Sequence, residues 1–526
     1  MKQALTVEIN LPPGDHLLED LIRAKAIKKA GLKEDPSLET EVIRRSVDAR
    51  SRKPVYRLRV RINEIGVPQE NNIHYRKFFK HVEEQKSILI VGAGPAGYFA
   101  ALEFLLLGYR PIVLDRGKDA RQRRRDLRAI QQFGVVNPHS NYCYGEGGAG
   151  TYSDGKLYTR AKKRGDYFKV LNILVEHGAT SDILVDAHPH IGSNKLPGIV
   201  AAIRETICEF GGEVHFDHFV TDLIIEDKKI NGVVVNGEKS MFADAVILAT
   251  GHSARDIYQL LFKHKLSLEA KPFALGVRIE HPQSLIDSIQ YNMINRGEHL
   301  PASSYSLVCQ VGEKGVFSFC MCPGGLVVPA STSPGEIVVN GMSLSKRDSP
   351  YANAGTVVTV DPTEFKGFEK DPFVCMDFQA AVEQNVFAHG DGSQAAPAQR
   401  LTDFVKGKLS TDLPGTSYIP GILSRRIDDI LPPRISKKLR TAIGLFEQKM
   451  KGYYTSEAVV IATESRTSAP VKIPRSDETL MHPDLDGLFP CGEGAGYAGG
   501  IMSAAMDGQR VARGVVRYYG EVNRGK

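Results

Sequence analysis

The segment over residues 87–117 constrains the fold of this chain more than any other. It reads SILIVGAGPAGYFAALEFLLLGYRPIVLDRG, in which a short apolar run is followed by Gly92, Gly94 and Gly97 and then by an apolar helical pattern. Such glycines allow a tight turn, close approach of a pyrophosphate to the backbone, and close packing of a helix on a strand. A second apolar run ends at Asp115, where a carboxylate can accept hydrogen bonds from a ribose hydroxyl. This order of features predicts a dinucleotide site that favours FAD or NAD over NADP.

Length and composition indicate a multidomain globular protein. The chain has 526 residues, of which 42% are hydrophobic and 24% are charged, so we expect two or three domains. No apolar run is long enough to span a bilayer and the N-terminus lacks a signal-peptide core, so we expect no membrane span and a cytoplasmic location. The seven cysteines are scattered without a C-x-x-C and the histidines fall in no ligand spacing, so we expect no structural metal.

Residues 1–80 are predicted to form a separate small α+β domain with a ferredoxin-like fold. Alternating patterns predict strands over 5–11 and 55–63, and helices are predicted over 17–30 and 38–51.

Basic side chains crowd this N-terminal domain. They include Arg44, Arg45, Arg50, Arg52, Lys53, Arg57, Arg59 and Arg61. They either form a solvated face, dock onto an acidic part of the same chain, or bind nucleic acid. Because no aromatic interleaving or RNA-binding signature accompanies them, nucleic acid is not expected as a partner.

The dinucleotide domain is predicted to be a three-layer Rossmann-like α/β domain, interrupted by an α+β insert. It is expected to run over 86–265 and to resume over 453–526, and the run AVILATG over 245–251 predicts a strand that ends in a tight turn beside the cofactor. Between these parts, over 266–452, strand-like pieces separated by Pro and Gly turns are followed by two helices. We expect this insert to bind the substrate.

Two further glycine-rich segments belong to the predicted site. Over 140–160 no apolar strand precedes the glycines, so this is a loop that either wraps a flat ligand or serves as an ordinary turn-rich connection. Near the C-terminus, Gly494, Gly496 and Gly499 follow a predicted strand and precede a predicted helix over 501–519. A second helix N-terminus can therefore point at the same ligand. A separate NAD site there is disfavoured, since no further strand and acid follow.

Several longer motifs mark a family resemblance. They are GEGGAGTYSDGKL, ATGHSARD, KPFALGVRIEHPQ, CPGGLVVPA and CGEGAGYAGGIMSAAMDG. Together with the domain order, they resemble the bacterial FAD-dependent dehydrogenases with a small N-terminal domain, within the two-domain flavoproteins of the glutathione-reductase superfamily. The resemblance implies an FAD-dependent oxidoreductase that transfers a hydride between non-covalent FAD and a small-molecule substrate. The flavin exchanges electrons either with the organic substrate alone or with NAD(P)H bound transiently.

The resemblance also implies which residues hold FAD. Gly92, Gly94 and Gly97 would hold the diphosphate, and Glu493 would contact the ribityl chain, although many relatives have the shorter aspartate there. The residues expected at the cofactor are Gly92, Gly94, Pro95, Ala96, Gly97, Asp115, Arg116, Gly148, Thr151, Val220, Thr250, Gly251, Gly492, Glu493, Gly499, Gly500 and Ile501.

No catalytic residue is assigned, and the weak candidates are Lys156, Tyr152 and Cys322. Lys156 and Tyr152, with Asp154, could polarise or protonate a substrate or could be ordinary turn residues. Cys322 forms the only close cysteine pair, with Cys320, and this pair is either two buried strand cysteines or a redox dithiol.

Three isolated polar residues complete the candidates. His252 follows the tight turn and is either structural or catalytic, while Arg466 and His482 are assigned no role.

Two other functions remain open at this point. An RNA-modifying flavoprotein would use the basic N-terminal domain, and a non-enzymatic flavin-binding interaction protein would hold a flavin without turnover.

Overall fold

The computed structural model describes residues 5–51, 53–64, 73–159 and 165–524, with side chains through residue 520. The protein is a mixed α/β structure in which a five-stranded and a seven-stranded sheet organise the two largest cores. None of the helices in these ranges combines the length and the apolar character that a bilayer crossing requires.

A small N-terminal unit contains three antiparallel strands and one α-helix within its described residues. Leu5–Leu11, Val55–Glu64 and Leu38–Asp48 pair in that spatial order, and the helix Glu19–Ala30 packs on them. The helix predicted over 38–51 is wrong, because long-range pairing with the central strand decides the conformation of this charged segment. The ferredoxin-like fold stays a prediction, because the described residues of this unit contain one α-helix and three strands.

The five-stranded sheet is parallel and forms the middle of three layers. Its strands, in spatial order, are Leu488–Pro490, Val246–Leu248, Ser87–Val91, Arg110–Leu114 and Glu213–His215. Successive side chains point to opposite faces, so Ile88 and Ile90 enter one core while Leu89 and Val91 enter another.

Helices cover one face of this sheet, and a small antiparallel sheet covers the other. The helical layer consists of Pro95–Leu107, Tyr167–Glu176, Leu196–Glu209 and Ile501–Arg524. The opposite layer consists of the strands Val220–Glu226, Lys229–Val235 and Lys239–Phe242 and the helix Arg255–Lys263.

The seven-stranded sheet belongs to the inserted part of the chain. Its strands, in spatial order, are Val308–Val311, Lys314–Cys322, Tyr351–Val360, Phe273–Pro282, Val459–Glu464, Ala396–Arg400 and Ile422–Ser424. The helices Val374–Ala388 and Pro433–Lys449 bury apolar side chains in the same core. A hairpin of Gly325–Pro329 and Val339–Ser343 lies beside it.

The remaining elements connect these layers. The helices are Ala120–Phe133, Asp182–Val185, Gln283–Tyr291, Leu401–Lys406 and Ile427–Ile430, and the short strands Glu269–Ala270 and Val471–Lys472 pair with each other.

The chain rejoins the parallel sheet later than residue 453, where the return was predicted. Val459–Glu464 still pairs with Phe273–Pro282 inside the seven-stranded sheet. The strand that rejoins the parallel sheet is Leu488–Pro490, beside Val246–Leu248. The parallel sheet is thus assembled from four strands between residues 87 and 248 and one strand over 488–490.

Candidate functional site

The three positions of the first turn are occupied by glycine for different structural reasons. Gly92 has φ 111°, and a Cβ there would overlap the carbonyl oxygen of Ala249. A Cβ at Gly97 would overlap the carbonyl oxygen of Gly92, so the helix packs closely on the strand only with glycine. At Gly94 the nearest atom to a Cβ is the Cα of Gly148, at 4.0 Å. Gly94 therefore leaves open space, while the other two glycines shape the turn.

The C-terminal glycine-rich turn packs directly against the first turn. A Cβ at Gly492 would lie 2.8 Å from the Cβ of Ala96, and a Cβ at Gly494 would lie 2.5 Å from the carbonyl oxygen of Gly251. Within the final helix, a Cβ at Gly508 would overlap the carbonyl oxygen of Ala96. The two glycine-rich turns, distant in the chain, therefore meet in space.

A cavity of about 640 Å³ lies between these turns and extends to the seven-stranded sheet. Its volume is in the range of ligand and cofactor pockets, roughly 300–1,000 Å³. The wall includes Gly94, Gly251, Gly499 and Gly500, and no atom lies closer than 4.0 Å to a Cβ placed at any of them. A flat or phosphate-bearing ligand can therefore approach the main chain at both turns.

Two helices begin at the cavity. Pro95–Leu107 starts directly after Gly94, and no side chain caps its first turn. Ile501–Arg524 starts directly after Gly500, and its first residues line the cavity. The first N–H groups of a helix lack partners within the helix and favour negative ligand atoms. The cavity is thus suited to an anionic ligand such as a diphosphate.

Fourteen of the seventeen residues expected at the cofactor line this cavity. They are Gly92, Gly94, Pro95, Ala96, Asp115, Arg116, Gly148, Val220, Thr250, Gly251, Glu493, Gly499, Gly500 and Ile501. Gly97, Thr151 and Gly492 do not line it and instead support the wall. Thr151, for example, donates a hydrogen bond of 2.9 Å to the carbonyl oxygen of Glu146.

The carboxylate of Asp115 accepts hydrogen bonds from the main chain around the first turn. Its Oδ2 accepts from the N–H of Ala93 and its Oδ1 from the N–H of Gly117, each at 2.8 Å. A carboxylate has about four lone-pair sites, so two remain for a ligand hydroxyl. The acid predicted at the ribose therefore also has a structural role.

Two buried charges hold the glycine-rich loop against the cavity, and sequence reasoning did not single them out. Arg123 donates to the carbonyl oxygen of Glu146 at 2.8 Å. The carboxylate of Glu146 accepts from the Tyr98 hydroxyl at 3.0 Å and from Arg204 at 3.1 Å. Arg123 belongs to the basic run RQRRRDLR, and its helical spacing from Leu127 and Ile130 is the local signal that separates this buried arginine from its exposed neighbours.

Arg116 forms a rigid side wall of the cavity. Its guanidinium lies 4.5 Å from the ring centre of Tyr144 and 4.2 Å from that of Phe219, and it pairs with Asp256 at 2.8 Å. Stacking and ion pairing together restrict the guanidinium beside Val220.

The inserted domain supplies the far wall, including Phe319, Cys320, Asn340, Gly341, Arg466 and Thr467. Arg466 is 4% exposed and pairs with Glu336 at 3.2 Å and Glu383 at 2.8 Å. Its Nη1 is buried without a hydrogen-bond partner among the described residues. Leaving a buried donor unpaired costs about 1–3 kcal/mol. The sequence analysis assigned Arg466 no role.

The three weak catalytic candidates occupy different positions. Lys156 lines the cavity and donates to the carbonyl oxygen of Met321. Tyr152 does not line it, and its hydroxyl donates to the carbonyl oxygen of Ala120 at 2.9 Å. Cys322 is fully buried behind the wall, and Cys320 lines the cavity instead.

The two histidines singled out from the sequence also differ. His252 lines the cavity, and burial, reinforced by the charge of Arg466, lowers its pKa to about 4. Its imidazole is therefore neutral at pH 7. His482 does not line the cavity and contacts the carbonyl oxygen of Ser267 at 3.0 Å.

Glu493, at the C-terminal turn, has an unusual protonation equilibrium. Burial raises its pKa to about 7, although the nearby ammonium of Lys271 opposes this shift. The side chain is therefore partly protonated at neutral pH. In the part of the chain that the structure describes, no three His, Cys, Asp or Glu side chains are grouped to hold a metal ion.

Comparison with known proteins identifies relatives of the chain. Residues 133–277 match the family described as "FAD binding domain", and residues 272–467 match "FAD-dependent protein, C-terminal domain-like". Residues 1–63 match a domain of unknown function. A Clostridium beijerinckii protein called "Uncharacterized protein" is 39% identical over 530 residues, which cover 97% of this chain and 98% of that protein.

Solved structures show a weaker likeness. CtdE in complex with FAD has a TM-score of 0.32 and 11% identity, covering 84% of this chain and 91% of that one. An E. coli quinol fumarate reductase has a TM-score of 0.35 and 14% identity, covering 83% and 71%. The halogenase PltM has a TM-score of 0.37 and 10% identity, covering 83% and 70%. These scores carry no argument about the reaction.

The cofactor follows from the family match and from the chemistry of the cavity. The FAD-binding match spans the glycine-rich loop, Val220 and Gly251, all of which contribute to the cavity. The exposed glycine backbone and the two helix N-termini fit a long anionic cofactor. FAD is the cofactor of this chain.

Proposed function

Since the chain belongs to the same family as the Clostridium beijerinckii protein and its cofactor is FAD, we propose that it is an oxidoreductase acting on a small-molecule substrate. It transfers a hydride between non-covalent FAD and that substrate in the cytoplasm. The observation that carries this proposal is the single cavity that both glycine-rich turns share with the inserted domain. When bound, FAD supplies the two-electron redox chemistry, and the protein supplies binding, orientation and electrostatics.

We assign the two ends of FAD from the polarity of the cavity walls. Gly94 and the first helix N-terminus would receive the diphosphate, and Asp115 would accept from the adenosine ribose. Arg116 would border the adenosine end. Glu493 and the N-terminus of the final helix, at Ile501, would border the ribityl and flavin end.

The proposed substrate lies against the inserted domain. Arg466 and Lys156 both line the cavity there. Burial lowers the pKa of Lys156, but negative charge at Cys320 and Asp154 outweighs burial and raises it overall. Both side chains are therefore cationic at pH 7, which favours a substrate with carboxylate or carbonyl oxygens.

Purified protein tests this proposal directly. We expect flavin absorbance near about 370 and 450 nm, and FAD should appear in the supernatant after heat denaturation, because the cofactor is held without a covalent bond. Anaerobic addition of NADH, NADPH and a panel of small organic acids should then identify a reductant. A colourless protein that cannot be reconstituted with FAD would refute the proposal.

The RNA-modifying alternative loses its main support. Arg45 pairs with Asp182 at 2.9 Å and with Asp186 at 2.7 Å, outside the N-terminal unit. Arg57 and Arg59 pair with Glu8 at 3.1 and 2.9 Å. The acids neutralise much of the predicted basic surface, so we do not propose nucleic acid as a partner.

The same anaerobic experiment distinguishes a non-enzymatic flavin-binding interaction protein from an oxidoreductase. A bound flavin that none of the physiological donors reduces would favour an interaction protein over an oxidoreductase.

A further inference from the structure

The strand Lys314–Cys322 is irregular where it reaches the cavity. Its pairing with Tyr351–Val360 shifts register between Phe319 and Cys322, which marks a β-bulge. Cys320, inside the bulge, has φ 43°, a left-handed conformation that non-glycine residues rarely adopt. The bulge places Cys320 in the cavity wall while Cys322 stays fully buried behind it.

The two cysteines contact each other in the reduced state. The Cys322 thiol donates to the carbonyl oxygen of Cys320, with a sulfur–oxygen distance of 3.3 Å. Both thiols are free of disulfides. The pair therefore consists of one thiol exposed to the cavity and one buried partner in contact with it.

Positive charges surround the thiol in the cavity wall. Lys156 donates to the carbonyl oxygen of Met321, the residue between the two cysteines. Arg278 donates to the carbonyl oxygen of Cys320 at 3.4 Å. These cations favour a thiolate at Cys320 over a neutral thiol.

The protonation states of the pair are correspondingly unequal. The hydrogen bond from Cys322, assisted by Lys156 and Arg278, holds the pKa of Cys320 well below its usual value. The same hydrogen bond and burial hold the pKa of Cys322 well above its usual value. A thiolate beside a protonated thiol is the reduced state from which a disulfide can form.

We propose that Cys320 and Cys322 form a dithiol–disulfide couple that exchanges two electrons with the FAD of the proposed function. In the oxidising direction, the Cys320 thiolate and the Cys322 thiol form an S–S bond and release two electrons and one proton. FAD bound in the cavity would take up both electrons and that proton, so charge and atoms balance. In the reverse direction, the reduced flavin cleaves the disulfide and restores the thiolate and the thiol.

An anaerobic dithionite titration of the air-oxidised, FAD-loaded full-length protein tests this couple. Wild type should take up four electrons per FAD, two for the flavin and two for the disulfide, whereas Cys320→Ser and Cys322→Ser should take up two. The matched control is Cys309→Ser, which removes a buried cysteine on the edge strand Val308–Val311 of the same sheet, outside the cavity wall. This control should keep the uptake of four electrons.

A spectroscopic readout distinguishes the two cysteines. In Cys322→Ser the remaining Cys320 thiolate should give an absorbance band at longer wavelength than that of the flavin itself, and Cys320→Ser should lack this band. An uptake of two electrons by FAD-loaded wild type would overturn the couple while leaving the proposed function intact. Absence of bound FAD would instead overturn the proposed function.

If the cysteine variants do not fold, a measurement on the wild-type protein without cofactor still tests the proposal. After mild oxidation of the wild-type apoprotein, mass spectrometry of the peptide that contains both cysteines should show the loss of two hydrogens. Two unmodified thiols in that peptide would overturn the proposal.

Discussion

Gly94 and Gly97 lie in one turn, but only Gly94 leaves its side-chain position open to the cavity. In Gly94→Val we expect FAD retention to fall by at least about tenfold, because the side chain would occupy the space of the diphosphate. The melting temperature of the apoprotein should stay within about 3 °C of wild type, since no protein atom is displaced. FAD content per chain and thermal unfolding of the apoprotein measure these effects.

The controls for this prediction separate binding from folding. Gly97→Ala should destabilise the apoprotein by more than about 2 kcal/mol, because the Cβ would overlap the main chain of Gly92. Gly198 lies on the helix Leu196–Glu209, and no atom lies within 4 Å of a Cβ placed there. Gly198→Ala should therefore lower neither FAD retention nor the stability of the apoprotein. Full FAD occupancy in Gly94→Val would contradict the site assignment.

The protonation of Glu493 predicts a pH-dependent stability of the apoprotein. Its pKa rises from 4.5 to about 7 on folding, so between these values the unfolded chain ionises while the folded chain stays protonated. Stability from this group is therefore complete below about pH 4.5 and is lost as the pH rises towards 7. The loss should be about 1–3 kcal/mol, because the side chain is partly exposed.

Glu493→Gln should remove this loss of stability at higher pH. Chemical denaturation of both apoproteins at pH 5 and pH 8 measures it, and the variant should gain stability relative to wild type only at the higher pH. An identical stability difference at the two pH values would show that Glu493 does not titrate as described.

Arg466→Lys tests the unpaired donor in the far wall. Lysine keeps a positive charge between Glu336 and Glu383 but lacks the planar guanidinium of this cavity-lining residue. We expect FAD to be retained and the KM of the substrate to rise by about tenfold, which would place the guanidinium on the substrate. Steady-state kinetics with the reductant identified anaerobically measure this, and an unchanged KM would remove Arg466 from the substrate site.

At the scale of elements, Gly508 allows the final helix to pack against Pro95–Leu107. A Cβ at Gly508 would overlap the carbonyl oxygen of Ala96, so Gly508→Ala should separate the two helices and cost more than about 2 kcal/mol. Gly520→Ala is the matched control, since it lies on the same helix with no atom within 4 Å of its Cβ. The control should stabilise the protein by up to about 1 kcal/mol.

Denaturant unfolding of both variants measures this difference. Equal stability of Gly508→Ala and Gly520→Ala would mean that the close helix contact is not required. FAD content should fall only in Gly508→Ala, because both helices begin at the cavity.

Elements with local patterns were predicted better than features that depend on distant pairing. The strand, turn and helix around Gly94 follow from an apolar run and glycine spacing, and both persist in the structure. Leu38–Asp48 was predicted as a helix because its many charged residues do not resemble a strand pattern. Its strand conformation depends on pairing with Val55–Glu64, which is distant from the local sequence signal. The left-handed Cys320 depends on the register with Tyr351–Val360, and no local pattern encodes it. Arg466 likewise reaches the cavity only through the tertiary fold.

At the scale of the whole molecule, Arg45 links the N-terminal unit to the rest of the chain. Besides its ion pairs with Asp182 and Asp186, its carbonyl oxygen accepts from the N–H of Ala187 at 2.9 Å. In Arg45→Glu we expect limited proteolysis to release the N-terminal unit at least about threefold faster, because like charges would then face each other. FAD content should be unchanged. Gel analysis of the digestion over time measures the rate.

Arg59→Glu is the control, because Arg59 pairs with Glu8 inside the same unit. Its digestion should follow that of wild type. The same pair of variants tests the RNA alternative, since a steeply salt-dependent RNA affinity that both substitutions abolish would restore it.

The parallel sheet takes its edge strand Leu488–Pro490, and its helical layer takes Ile501–Arg524, from the last part of the sequence. During translation, the ribosome therefore has to deliver the chain at least through residue 504 before the flavin has a complete binding pocket. Until then the apolar flank of Pro95–Leu107 lacks its cover and is exposed to chaperones. Flavin loading is consequently a late event in the maturation of each molecule.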